Sequence, residues 1–291
     1  MERLLIVAAL TAVIHMVNTL IYAVRISGVR TKRLATALSL FNVIFLLAST
    51  ANSIQGFLLA SIVEKAIAAA QKQAGVSLPL DQLVYHPAYQ EQLALLDHRI
   101  RLIIVAATLG TILGALLIPA FVNIFNRAIF LFEETGSVPR MLWIMLFSPR
   151  KVFGAAGGQF RIPRKKTFKA LAARKGAIPK TFIILNFLVT GIYTTGVLSA
   201  LYAGALFPDF RAAAATLSAV VNGVATILAT TVVDPVAAVI TDQALRGDRS
   251  EDDVKQMAVY LSVSRFLGTG LAQLLFVPSA LLIKYMASLL A

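Results

Sequence analysis

The chain is expected to be an all-α polytopic membrane protein with about six transmembrane helices, on three observations. Of its 291 residues, 58% are apolar and 14% charged, against about 45–50% and about 25% in a soluble domain. Apolar runs of about 20 residues or more, the length that crosses a bilayer core, recur along the whole sequence. Polar connections separate them, and a six-span topology places the most basic connections on one side. Cysteine is absent and the three histidines (His15, His86, His98) are scattered, which excludes disulfides and thiol chemistry and argues against a histidine metal site. The net charge of +13, from 27 Lys and Arg against 14 Asp and Glu, is the excess that membrane proteins carry on their cytoplasmic side, so no nucleic acid partner is expected.

Residues 4–24 form the first span. It is a poor signal peptide, because residues 1–3 carry no net positive charge and the apolar run is too long. His15, Asn18, Tyr22 and Arg25 recur at spacings of three, four and three, which puts them on one helical face. That stripe either faces neighbouring helices or lines a substrate path. Arg25, Arg30, Lys32 and Arg33 make a short basic connection. The second span, 34–63, carries Asn42, Ser49, Thr50, Asn52 and Gln55, whose amides and hydroxyls suit hydrogen bonds between helices. Residues 64–98 have mixed charge. EKAIAAAQKQAG (64–75) reads as a continuation of the second span, and YQEQLALLDHRI (89–100) as a separate short helix of an external loop.

The third span, 101–132, contains Pro119 and ends near Asn123, Asn126 and Arg127. Residues 133–180 are the most basic region, and within them MLWIMLF (141–147) is too short to span and suits the interface. The remaining spans are 181–207, 212–241 and 257–290. The rule that Lys and Arg stay inside then puts 25–33 and 133–180 in the cytoplasm and both termini outside. LGTILGALLIP (109–119) and LGTGLAQLLFVP (267–278) share a pattern, and LAST (47–50) resembles LATT (228–231). These matches raise the expectation of two inverted three-helix repeats within one transmembrane unit, 1–291.

Charge is scarce in the spans, so Asp234, Asp242 and Arg265 stand out. A charged side chain at mid-membrane costs about 2.5–3.5 kcal/mol on insertion scales and marks a substrate or ion path. Asp234 and Arg265 both fall in the cytoplasmic half and are expected to pair, either as structure or as a switch that binds an anion on Arg265 and releases Asp234. The sequence has no phosphate loop with its lysine, nucleophile elbow or HExxH helix. Asp234 and Asp242 lie roughly 12 Å apart along a helix, too far to share one Mg²⁺ unaided. A transporter without cofactor or metal is therefore expected over an enzyme. A proton- or cation-coupled carrier of a small solute, with Asp234 titrating, is the alternative.

HMVNTLIYAVRISGVRTKRLATALSLFN (15–42), NSIQ (52–55), Val233-Asp234-Pro235 with Thr241-Asp242, and SRFLGT (264–269) together resemble the Amj family of bacterial lipid II flippases. The most specific piece is R-x-x-G-V-R-T-x-R, from Arg25 to Arg33, while Ser49 and Gly56 depart from the family's pattern. The resemblance covers essentially the whole chain. It implies a multi-pass protein of the bacterial cytoplasmic membrane that moves lipid II, the undecaprenyl-pyrophosphate-linked peptidoglycan precursor, to the outer leaflet, in contact with membrane lipids and with an oligomer compatible. Its candidate translocation residues are His15, Asn18, Tyr22, Arg25, Arg30, Arg33, Asn42, Asn52, Arg127, Asp234, Asp242 and Arg265.

Overall fold

The computed structural model describes residues 2–74, 79–147 and 178–290, and the regular structure in them is entirely helical. Six of the helices, counting the broken stretch Pro208–Arg246 as one, are long and apolar enough to cross a membrane. Most of the basic region, residues 148–177, lies outside the described residues.

Helix α1 (Glu2–Thr31) and helix α2 (Leu34–Ala74) form a tight antiparallel pair. Lys32 adopts the left-handed conformation between them, at φ 56°, and the Arg33 N–H donates to the Gly28 carbonyl at 2.9 Å. A Cβ at Gly28 would lie 2.8 Å from the Leu34 Cα, so only glycine lets α2 begin this close to α1. At 1.5 Å per residue α2 is about 60 Å long, twice the hydrocarbon thickness, and extends past it as expected. The short helix α3 (Leu80–Leu83) leads into α4 (Pro87–Thr135), which is capped by the His86 side chain accepting from the Ala88 N–H at 3.2 Å.

Helix α4 corrects one expectation. Residues 89–100 are not a separate helix but the first three turns of a 49-residue helix that includes the third span. The buried face Tyr89, Leu93, Leu96, Ile100, Ile103, Ile104 and Ala107 keeps one helical phase from the polar segment into the apolar one. Charge here does not end the helix, because Asp97 pairs with Arg101 one turn later at 2.7 Å. Gly136, at φ 62°, closes α4, and α5 (Val138–Phe147) follows with Trp143 exposed and its ring 4.2 Å from that of Phe147.

The second correction concerns the fifth span, which is not one unbroken helix. After α6 (Lys180–Leu206) come a 3₁₀ turn (Pro208–Phe210), α7 (Arg211–Thr216), α8 (Ser218–Leu228), a π turn (Ala229–Val233) and α9 (Asp234–Arg246). Pro235 has no N–H for the carbonyl one turn back, and the turn before it widens until the Asp234 N–H donates to the Ala229 carbonyl. The last helix, α10 (Glu251–Leu290), starts at a capping box in which the Ser250 N–H and Oγ both donate to the Asp253 carboxylate at 3.0 Å.

Two helix pairs form the frame: α1 against α4, and α6 against α10. Both are closed through glycine. A Cβ at Gly110 would lie 2.1 Å from the Ala12 carbonyl oxygen, and one at Gly268 would lie 2.6 Å from that of Phe187. Without a hydrophobic force between helices in lipid, such close backbone approach is what holds them together. Toward the end that carries α3, one core joins all the long helices, with Leu59, Tyr89, Ile100, Leu198, Leu217 and Phe276 in it. Toward the other end the core divides. One cluster gathers around Phe182, Ile240 and Met257, and another around Phe41, Phe125 and Met141.

Candidate functional site

Where the core divides, a cavity of about 430 Å³ opens between the helices. The polar stripe of α1 forms its floor: His15, Asn18, Tyr22 and Arg25 all line it. Helix α2 contributes Asn52 and Gln55, α6 contributes Asn186 and Tyr193, α8 contributes Asn222, α9 contributes Asp234, and α10 contributes Arg265. Helix α4 lies behind α1 and does not reach it. Helices α2 and α8–α9 stand on opposite walls and barely touch. Away from the cavity they carry exposed Leu46, Leu47, Val224 and Ile227.

The charges in the cavity are two guanidinium groups and one carboxylate. The expected pair between Asp234 and Arg265 does not form; instead Asp234 acts electrostatically on Arg25, without an ion-pair contact. The two groups meet different parts of the α1 stripe: Arg265 sits beside Tyr22 and His15, whereas Asp234 faces the Arg25 end. Neither arginine has a carboxylate in contact among the described residues. Three polar atoms of the lining are buried without a partner: Nδ1 of His15, Oδ1 of Asn222 and Nε of Arg265. Buried polar atoms are nearly always satisfied, so these three call for water or a polar ligand in the cavity.

Asn186, which the sequence reading left out, is held in place by its Nδ2 donating to Ser264 Oγ at 2.6 Å and to the Leu261 carbonyl at 3.2 Å. Tyr193 ties α6 to α8, its hydroxyl 2.6 Å from Thr226 Oγ1. The signal available for Asn186 is that it is the only amide in an uncharged span, 181–207.

The other candidates fall outside the cavity. Arg30 pairs with Glu251 at 2.6 Å and Arg33 pairs with Glu133, both at the end of the molecule where the basic connections lie. Asn42 is exposed on α2 and Asp242 on α9. Asp242 still contributes to the field at Arg25. Arg127 does not line the cavity. Among the described residues no three His, Asp or Glu are grouped to hold a metal ion.

Six membrane-length helices around a charged cavity between two glycine-closed pairs define a multi-pass membrane protein with an internal polar site. The chain belongs to the Amj family, described as an alternate to MurJ, whose model matches residues 10–287. It is 35% identical to the lipid II flippase Amj of Bacillus subtilis (strain 168) over 284 residues, covering 98% of this chain and 96% of that protein. No solved structure matches the chain.

Proposed function

We propose that the protein is a lipid II flippase of the bacterial cytoplasmic membrane, a transporter that carries out no catalysis. The observation that carries this reading is the pair of guanidiniums, Arg25 and Arg265, inside an intramembrane cavity that holds a single carboxylate. Two cations lining one cavity between apolar helices are costly unless an anion uses them, and the headgroup of lipid II is joined to its tail by a diphosphate. The cavity lies in the half of the helices nearer the basic connections, which the positive-inside rule places in the cytoplasm, where the precursor is made. The gap between α2 and α8–α9, which barely touch, is read as a side passage. Through it the polyprenyl tail can remain in lipid while the sugar and peptide cross in the polar cavity. Glu251 and Glu133 hold Arg30 and Arg33 at the mouth, where the cations draw in anionic headgroups.

The test is exposure of lipid II in the outer leaflet of cells that depend on this protein. Arg25→Ala and Arg265→Ala are each expected to lower translocation at least about tenfold, since a desolvated charge contact is worth about 2–5 kcal/mol. Asp234→Ala is expected to stall turnover. Normal translocation by all three variants, inserted at normal levels, overturns the site.

A further inference from the structure

We propose that each diphosphate entering the cavity brings one proton with it, and that the proton is held on the carboxylate of Asp234. This inference rests on the flippase reading and adds a coupling ion to it. The argument is a charge count. The cavity lining supplies two fixed positive charges, Arg25 and Arg265, and one negative charge, Asp234. A polyprenyl diphospho-sugar is a diester with one negative charge on each phosphorus, and neither charge titrates near neutral pH. Two phosphates match two guanidiniums, and the carboxylate is then one anion too many in the cavity, because like charges sharing one site disfavour each other's ionised form.

The position of Asp234 makes it the group that yields. It acts on Arg25 without touching it, so a phosphate seated on Arg25 comes between them or alongside the carboxylate. It lines the cavity without being packed among other side chains. Once protonated, its O–H can donate to a phosphate oxygen, which turns a repulsion into a hydrogen bond. The proton comes from water at the cytoplasmic mouth, and no bond in the substrate changes. The site carries a net charge of +1 without substrate and is neutral when loaded.

The other titratable or charged groups facing this carboxylate are His15, Tyr22 and Arg25 on α1, Tyr193 on α6 and Arg265 on α10. Asp242, on the same helix, acts on Arg25 from outside the cavity. Helix α2 adds no titratable side chain to the lining. Of these groups, only His15 could also gain a proton in the same pH range. The experiment must therefore separate His15 from Asp234.

The purified protein in lipid nanodiscs is titrated with a short-chain polyprenyl diphospho-N-acetylglucosamine between about pH 5.5 and 8. Affinity is expected to rise on acidification by up to about tenfold per pH unit, the slope for uptake of one proton. Asp234→Asn, which mimics the neutral acid, is expected to bind at the low-pH affinity throughout, without slope. His15→Gln is expected to keep the wild-type slope. A pH-indicator dye in weak buffer should show proton uptake when the wild-type protein is loaded, a readout that depends on no variant folding.

Binding that is flat with pH, no uptake in the dye assay, a slope retained in Asp234→Asn, or a slope lost in His15→Gln each overturns the proton site and leaves the flippase reading intact. Failure of the wild-type protein to bind the probe at any pH overturns both.

Discussion

At Gly196 there is no room for a side chain. A Cβ there would lie 2.0 Å from the Oδ1 of Asn222, the orphaned oxygen that lines the cavity from α8. Gly196→Ala is therefore expected to push Asn222 out of place and cost about 1–3 kcal/mol, read as a lower midpoint of thermal unfolding, together with weaker binding of the diphospho-sugar. Unchanged stability and binding would show that Asn222 has freedom to move. At this scale the α1 stripe was legible in the sequence, because His15, Asn18, Tyr22 and Arg25 share one face by helical spacing alone. Asn186 and Tyr193 were not, since the polar partners that place them, Ser264 and Thr226, are distant in the chain. Spacing within one helix also does not give the cation nearest Asp234, because Arg25 and Arg265 reach the cavity from different helices.

Among the elements, the two LGT segments do the same work in the two halves. Gly110 seats α4 on α1, Gly268 seats α10 on α6, and Thr111 and Thr269 beside them are fully buried. We propose that the two segments are equivalent positions of an inverted repeat. The equivalence predicts that Gly110→Ala and Gly268→Ala destabilise the protein alike. Each should cost about 1–3 kcal/mol or more, because the blocked contact is with backbone, which cannot swing aside. Thermal unfolding in detergent decides it, and an effect in only one half would break the equivalence. Helix existence was legible from apolar length. The continuity of α4 and the break before α9 were harder to read. A polar surface does not end a helix whose buried face stays in phase, and Pro235 signals a disturbance without saying that a π turn will absorb it.

Over the whole molecule the core is continuous at one end and divided at the other, and the cavity lies in the divided half, nearer the basic connections. If that side is cytoplasmic, Tyr85 lies outside the cell, in the turn before α4, and Asp248 lies inside, after α9. The absence of cysteine makes this direct to test. Tyr85→Cys, at a position 84% exposed, should react with an impermeant maleimide in intact cells, and Asp248→Cys only after permeabilisation. The opposite pattern would invert the topology and with it the direction of the proposed transport.

Composition and apolar length alone determined that this chain is a bundle of membrane-spanning helices. Helical spacing alone determined that α1 presents a polar face with a guanidinium at one end. These follow from local rules, the length of a bilayer crossing and the period of a helix. Only the tertiary structure decided that the face lines a cavity, that Arg30 and Arg33 are held by acids outside it, and that Asp234 answers Arg25 rather than Arg265. Those outcomes depend on how close glycines let distant helices approach and on which helices bring their charges to the cavity, distances that no spacing within a single helix encodes.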